Sequence, residues 1–143
     1  MTYVPTTHKF VAVLNKKIPA GQVMNALAHA TAGLAGSYPA PEEMRLDTYT
    51  DKDGNKHANI SDNPFIILQA DNSNQLRTLR NNLLEQGMYF TDFTSTMTVG
   101  TYAEQQERTA QTPEADLEYW AVVLFGEAEK LAALTKKFSL LRG

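Results

Sequence analysis

A carboxylate and a hydroxyl four residues apart are the side chains of this sequence best suited to catalysis. Asp92 and Thr96 stand in the segment TDFTST, where the acid could act as a general base or orient a water molecule and the hydroxyl could polarise a substrate. In a regular strand the two residues would lie about 13 Å apart, at roughly 3.3 Å per residue. Direct cooperation therefore requires a bend or bulge near Thr94 and Ser95.

A second candidate site is the loop between the first predicted strand and the first predicted helix, residues 15–21. Ligands of open α/β sheets commonly bind at such strand-to-helix loops, and a helix N-terminus attracts anions. Lys16 and Lys17 add positive charge there, and Gly21 stands where the helix begins. We therefore treat these three as candidate ligand-binding residues, with solvated surface lysines as the alternative.

The first predicted helix carries two stripes, one apolar and one polar. At about 100° per residue, the apolar stripe consists of Val23, Leu27, Ala30 and Leu34, and the second of Gln22, Asn25, Ala26, His29 and Gly33. The apolar stripe is expected to face the core, whereas the second meets solvent, packs on another backbone or lines a cleft. Gln22, Asn25 and His29 are therefore candidate ligand contacts, although for His29 a partly buried histidine bonded to a neighbouring carbonyl is the favoured alternative.

Several classes of site are missing from the sequence. It has no cysteine, which excludes disulfides, thiolate metal sites and a cysteine nucleophile. It has neither a dinucleotide-binding nor a Walker phosphate-binding motif. The segment DKDGN at 51–55 is not a calcium loop, because its glycine is fourth where the motif needs it sixth. The three histidines fall on a strand, a helix and a hairpin without a shared face. We therefore expect no metal and no cofactor.

Length, composition and charge indicate an ordinary globular protein. The 143 residues are 43% hydrophobic and 20% charged, which predicts one domain over residues 1–143. The net charge of −3 and the pI of about 5.6 disfavour a protein that coats nucleic acid. The sequence shows no export signal, and the longest apolar run, 119–125, is far too short to span a bilayer. A cytoplasmic location without a membrane partner is expected.

The order of the predicted elements favours an α/β fold. The predicted strands are 10–14, 64–70, 88–99 and 118–125, the helices are 21–36, 73–86 and 127–137, and a small hairpin pairs 46–50 with 57–60. This alternation predicts a three-layer α/β/α sandwich with a mixed, mostly parallel sheet of about four strands. Residues 102–117 are polar, and we expect them to form an insertion that contains a short exposed helix.

Three segments, taken in order, resemble the peptidyl-tRNA hydrolase type II fold, and specifically the bacterial family known as domain of unknown function 2000. In FVAVLNKKIPAGQVMNALAHATAGL, Gly21, Ala28 and His29 match the loop and helix of that fold. In TDFTST, Asp92 and Thr96 match an Asp-x-x-x-Thr element that carries catalysis in the hydrolases. The segment AVVLFGEAEKLAALTKKFSLL is similar to the closing strand, glycine turn and final helix. The resemblance covers most of the chain and implies this fold.

Three positions depart from the hydrolase pattern. Gln22 stands where the hydrolases have a catalytic lysine at the start of the helix. Ala26 replaces a glutamine one turn later, and Ser95 replaces the arginine before the matching threonine. Loss of a positioned cation removes stabilisation of developing charge, although Lys16 or Lys17 could supply a cation from the loop.

Two functions follow from these features. The first is a ligand-binding or regulatory protein on a hydrolase-like scaffold, whose cleft between the first helix and the third strand holds a small ligand or a peptide end. The alternative is a hydrolase of an acyl ester such as peptidyl-tRNA, with Asp92 as general base and Thr96 as hydrogen-bond donor. The acidic pI disfavours tRNA as a partner, and the related hydrolases suggest a homodimer.

Overall fold

The sequence forms alternating strands and helices over residues 4–142, the part of the chain that the structure, a computed structural model, describes. In chain order the elements are β1 (His8–Asn15), α1 (Ala20–Ser37), β2 (Leu46–Thr50), β3 (Lys56–Ser61), β4 (Phe65–Ala70), α2 (Ser73–Glu85), β5 (Tyr89–Thr94), α3 (Tyr102–Ala110), β6 (Tyr119–Glu127), α4 (Ala128–Thr135) and β7 (Ser139–Leu140). No helix in this range is long and apolar enough to cross a bilayer.

Five of the strands form one mixed sheet in the order β5-β6-β1-β4-β7. β1 runs parallel to β4, but the pairs β5–β6, β6–β1 and β4–β7 are all antiparallel. The prediction of a mostly parallel sheet is therefore wrong, and the short β7 adds a strand to the predicted four. The physical reason is that a continuous apolar run shows burial of both faces of a strand and not its direction.

Helices cover both faces of the sheet, so the α/β class is confirmed. Alternate residues of β1 face two different cores because successive side chains of a strand point to opposite faces. Under α1 lie Phe10, Ala12 and Leu14 of β1 with Val23, Ala26, Ala30 and Leu34 of the helix. Under α2 and α4 lie Val11 and Val13 with Leu76, Leu79, Leu83 and Leu131. Burial of each large apolar side chain contributes about 1.5–3 kcal/mol, which fixes α1 and α2 against the sheet.

The predicted hairpin is confirmed as a separate two-stranded sheet of β2 and β3. Gly54 adopts the positive φ of 87° that the turn requires. The Asp51 carboxylate accepts the backbone N–H groups of Asp53 and Asn55, each at 2.9 Å. Residues 46–60 are exposed throughout, so the hairpin lies outside both cores.

Two predicted element ends are wrong. α1 continues through Gly36 to Ser37, and the chain leaves it through an extended Tyr38 instead of a left-handed glycine. β5 stops at Thr94, well before the predicted end at residue 99, because Ser95–Met97 forms a 3-10 turn. This turn lies where direct cooperation of Asp92 with Thr96 would require a bend.

Candidate ligand-binding cleft

A cleft of about 970 Å³ lies between α1, β5 and α3 at the β5 edge of the sheet. Asn25, His29 and Gly33 of the predicted polar stripe line it. They recur every four residues and therefore lie along one side of α1. The other two stripe residues lie elsewhere, because Ala26 is fully buried in the core and Gln22 is exposed outside the lining.

The opposite wall of the cleft is α3, which the sequence analysis placed in an exposed insertion. Its lining residues are Tyr102, Gln105, Gln106, Thr109 and Ala110. A signal for this wall was present in the sequence, because residues 102, 105, 106 and 109 have the spacing of one helical face. All four are uncharged, whereas the rest of the helix carries Glu104, Glu107 and Arg108.

Polar contacts hold α3 in place, since none of its residues is buried. Arg108 donates through Nη1 to the Thr96 carbonyl at 3.1 Å and through Nη2 to the Val99 carbonyl at 3.0 Å. At its start, Thr101 and Glu104 form a reciprocal capping box. The position of this wall therefore depends on the turn that follows β5.

The inner surface of the cleft is aromatic. Phe93 is 7% exposed, and its ring centroid lies 6.0 Å from that of His29 and 5.9 Å from that of Trp120. His29 is the exposed end of this row of rings. The Thr91 hydroxyl donates to the Ala30 carbonyl at 2.7 Å and fixes β5 to α1. His29 and Phe93 line the cleft and provide aromatic surface against which a ligand ring could pack.

Thr96 lies beside the cleft but not in its lining. It is 7% exposed, and the hydroxyls of Thr94 and Thr109 lie 2.7 and 2.8 Å from its Oγ1. Its hydroxyl is therefore already within hydrogen-bond distance of two threonines. This arrangement supports the junction of β5 with α3.

Asp92 borders the cleft, but its carboxylate pairs with a residue of the opposite helix layer. Arg80 of α2 approaches with Nε 3.6 Å from Asp92 Oδ2, a distance of ion pairing that is too long for a hydrogen bond. Burial raises the pKa of the Asp92 carboxyl above its usual range, and the Arg80 charge offsets part of that rise. Asp92 and Thr96 are thus close in the chain, but each has different partners.

The same side of the sheet holds a second charged cluster around Glu114. Its Oε2 accepts hydrogen bonds from the Tyr119 hydroxyl at 2.8 Å and from Arg77 Nε at 3.0 Å. The bond from Tyr119 is the main reason that the pKa of Glu114 is lowered. Burial raises the pKa of the Tyr119 hydroxyl itself.

The loop residues predicted to bind an anion do not line the cleft. Lys16 forms a 2.8 Å ion pair with Asp71 at the protein surface. Lys17 and Gly21 are exposed, and the Lys17 backbone N–H donates to Asn15 Oδ1 at 3.0 Å. The structure therefore brings Asn25, His29 and Asp92 of the candidate residues to one cleft and leaves the loop separate. Among residues 4–142, no group of three or more His, Asp or Glu side chains could hold a metal ion.

Comparison with known proteins agrees with this architecture. The chain is similar to the solved structure of a protein of unknown function from Agrobacterium tumefaciens strain C58, with a TM-score of 0.81 and 18% identity, over 95% of this chain and 98% of the other. At that identity the similarity concerns the fold. No curated protein matches the sequence. The model of the family described as "Protein of unknown function (DUF2000)" matches residues 8–142, and the chain therefore belongs to the DUF2000 family.

Proposed function

We propose that this protein binds a small, largely uncharged ligand in the cleft between α1, β5 and α3. The observation that carries the proposal is the chemistry of the facing walls. Asn25 on α1 faces a wall with Gln105 and Gln106 on α3. The Gln105 amide nitrogen already donates to the Thr98 and Gly100 carbonyls and that of Gln106 to the Tyr102 hydroxyl, which leaves the Asn25 amide and the two glutamine side-chain oxygens to a ligand. No lysine or arginine lines the cleft.

The absence of a lining cation restricts the ligand. A charge removed from water without a partner costs several kcal/mol or more, so a phosphate or carboxylate would bind poorly here. The cleft volume of about 970 Å³ is at the upper end of the roughly 300–1,000 Å³ of small-molecule sites. An uncharged molecule with an aromatic ring and hydrogen-bond donors matches the rings of His29 and Phe93, the Asn25 amide and the two glutamine oxygens.

The experiment compares two variants of one helix. Gly33→Phe places a ring inside the cleft, whereas Gly36→Phe places the same ring where nothing lies within 4 Å of the added Cβ and outside the lining. Uncharged heteroaromatic amides would be screened by NMR against ¹⁵N-labelled protein. We expect shifts at Asn25, His29 and Gln105 that Gly33→Phe abolishes and Gly36→Phe retains. Hits that bind both variants equally would refute the cleft as their site.

The second candidate is hydrolysis of an acyl ester on a scaffold like that of peptidyl-tRNA hydrolase type II. It is favoured by Asp92, which borders the same cleft as His29 and whose raised pKa suits a general base. Against it stand the ion pair of Asp92 with Arg80 and the two threonine partners of Thr96. Binding without turnover is the function better supported.

A direct assay separates the two functions. Release of an N-acetylated amino acid from its tRNA would be followed with the wild-type protein, with Asp92→Asn and with buffer alone. We expect all three to give the same rate. Release by the wild type that Asp92→Asn abolishes would establish the hydrolase and refute the binding proposal.

A further inference from the structure

We propose that a second cavity, between α2 and α4, binds a small phosphorylated molecule that carries two or more negative charges. The cavity has a volume of about 580 Å³. Its ionisable lining residues are Lys130, Lys136 and Lys137, and no carboxylate lines it. It lies on the face of the sheet covered by α2 and α4, whereas the cleft lies beside α1.

The three exposed cavity lysines have no ion-pair partner, which among residues 4–142 is also true of every other lysine except Lys16, and the Lys137 ammonium lies 5.2 Å from the centroid of the Phe138 ring. Lys16, Arg45, Arg77 and Arg80 each pair with an aspartate or glutamate. Among residues 4–142, no carboxylate forms an ion pair with any of the three cavity lysines. Three like charges around one cavity repel each other, and a bound anion relieves that repulsion.

Stabilisation of helix α4 explains only part of this cluster. Lys136 and Lys137 follow the last turn, where cations favour the helix dipole. Lys130 is in the first turn of α4, where the dipole disfavours a cation. Lys130 shares one side of α4 with Ala133 and Leu134, which also line the cavity.

The remaining lining offers neutral donors and an apolar wall. Asn82 and Gln86 lie at the end of α2, and Gln86 Nε2 donates to Asn82 Oδ1 at 2.9 Å, which leaves the Asn82 amide nitrogen available to an anion. The Leu83 and Leu84 carbonyls near the end of α2 are already bonded, because Met88 donates to Leu83 and Gly87 donates to Leu84. These carbonyls therefore do not compete for the lysines.

The charge distribution favours a small ligand over a nucleic acid. The chain has 13 Lys and Arg against 16 Asp and Glu, and three of those cations surround one cavity. The rest of the surface is correspondingly acidic and would repel an extended polyanion. A compact ligand with two phosphoryl charges engages the lysines without meeting that surface.

The test uses inorganic pyrophosphate as the probe, at low salt and with ¹⁵N-labelled full-length protein. Lys130→Gln/Lys137→Gln removes two cavity charges, and Lys52→Gln/Lys56→Gln removes the same charge from the exposed β2–β3 hairpin as the matched control. We expect saturable shifts at Asn82, Ala133 and Leu134, and an affinity about tenfold or more weaker in the cavity variant only, because each lysine donates a charge-assisted hydrogen bond.

Three results would overturn the proposal. One is the absence of saturable shifts at these residues in the wild-type protein. Another is an equal loss of affinity in the hairpin variant, which would show a general charge effect. The third is tighter binding of a single-stranded RNA oligonucleotide than of pyrophosphate at the same lysines, which would identify a nucleic-acid surface. Unchanged thermal unfolding of both variants would show that the weaker binding results from the loss of the lysine charges and not from partial unfolding.

Discussion

Removal of the Arg108 guanidinium is predicted to loosen the α3 wall of the cleft without destabilising the sheet. Arg108 makes two hydrogen bonds to carbonyls of the segment that follows β5, at 3.1 and 3.0 Å, and α3 has no buried residue. Each such bond contributes about 1 kcal/mol net. Met has nearly the same helix propensity as Arg, so Arg108→Met removes the two hydrogen bonds with little other effect on the helix. The loss should lower the local stability of α3 by roughly 2 kcal/mol, which raises its opening equilibrium about 30-fold.

Hydrogen exchange measures this effect directly, because it reports local opening separately from global unfolding. We expect the amides of 105–110 to exchange about 30-fold faster in Arg108→Met, with unchanged exchange in β1 and β6. Glu107→Gln is the matched control, since that exposed side chain contacts only Gln111. Unchanged exchange in α3 would refute the view that polar anchors hold this wall. Equal acceleration in β6 would show that α3 is part of the global folding unit.

Three further predictions concern stability. Gly33→Ala should stabilise the protein by about 0.5–1 kcal/mol in urea unfolding, because the added Cβ meets only a Thr91 methyl group at 3.9 Å; a loss would mean that the added methyl strains the cleft. Burial raises the pKa of Asp92 in the folded protein above 3.8. The wild type should therefore lose stability relative to Asp92→Asn as the pH rises from 3.8 through the pKa of the folded state. A relative gain of stability would contradict the conclusion that burial outweighs the Arg80 charge in setting this pKa. Tyr119→Phe should lower the free energy of unfolding by about 1 kcal/mol at neutral pH, because it removes the hydrogen bond to the Glu114 carboxylate. The loss should be present above pH 4.5 and should shrink as the pH falls through the lowered pKa of Glu114. A loss that does not change with pH would refute the role of this hydrogen bond.

The elements that the sequence predicts well are those whose signals are local. The apolar run of β1 and the Asp53-Gly54 turn of the hairpin are contiguous patterns, and both elements form within a few residues of the predicted bounds. The order and direction of the strands depend instead on pairs far apart in the chain. Phe125 of β6, for example, pairs with both Phe10 and Tyr89. Such pairing reflects the packing of the whole sheet, which no single segment encodes.

The candidate site was predictable in part for the same reason. Asn25 and His29 could be found because the helical period alone places them on one stripe. The partners of Asp92 could not be found, since Arg80 reaches it only after α2 packs on the opposite face of the sheet. The α3 wall also depends on a long-range arrangement, because Arg108 bonds to the turn after β5 and not to a core.

The pairing of cations bears on the choice between the two proposed functions. Hydrolysis of an ester needs a positive group or equivalent donors at the developing negative charge. Lys16 is paired with Asp71 and Arg80 with Asp92, so use of either cation would first break an ion pair. Lys17 is the remaining candidate in the loop, but its exposed side chain lies outside the cleft lining.

Use of Lys17 in hydrolysis would therefore require the loop at residues 15–21 to move toward the cleft. Ligand binding requires no such movement, because Asn25 and the amides of α3 already face the cleft. Preorganised groups of this kind reduce the cost of ordering side chains on binding. This difference is the reason that we propose recognition of an uncharged molecule, and not chemistry on an ester, for the cleft.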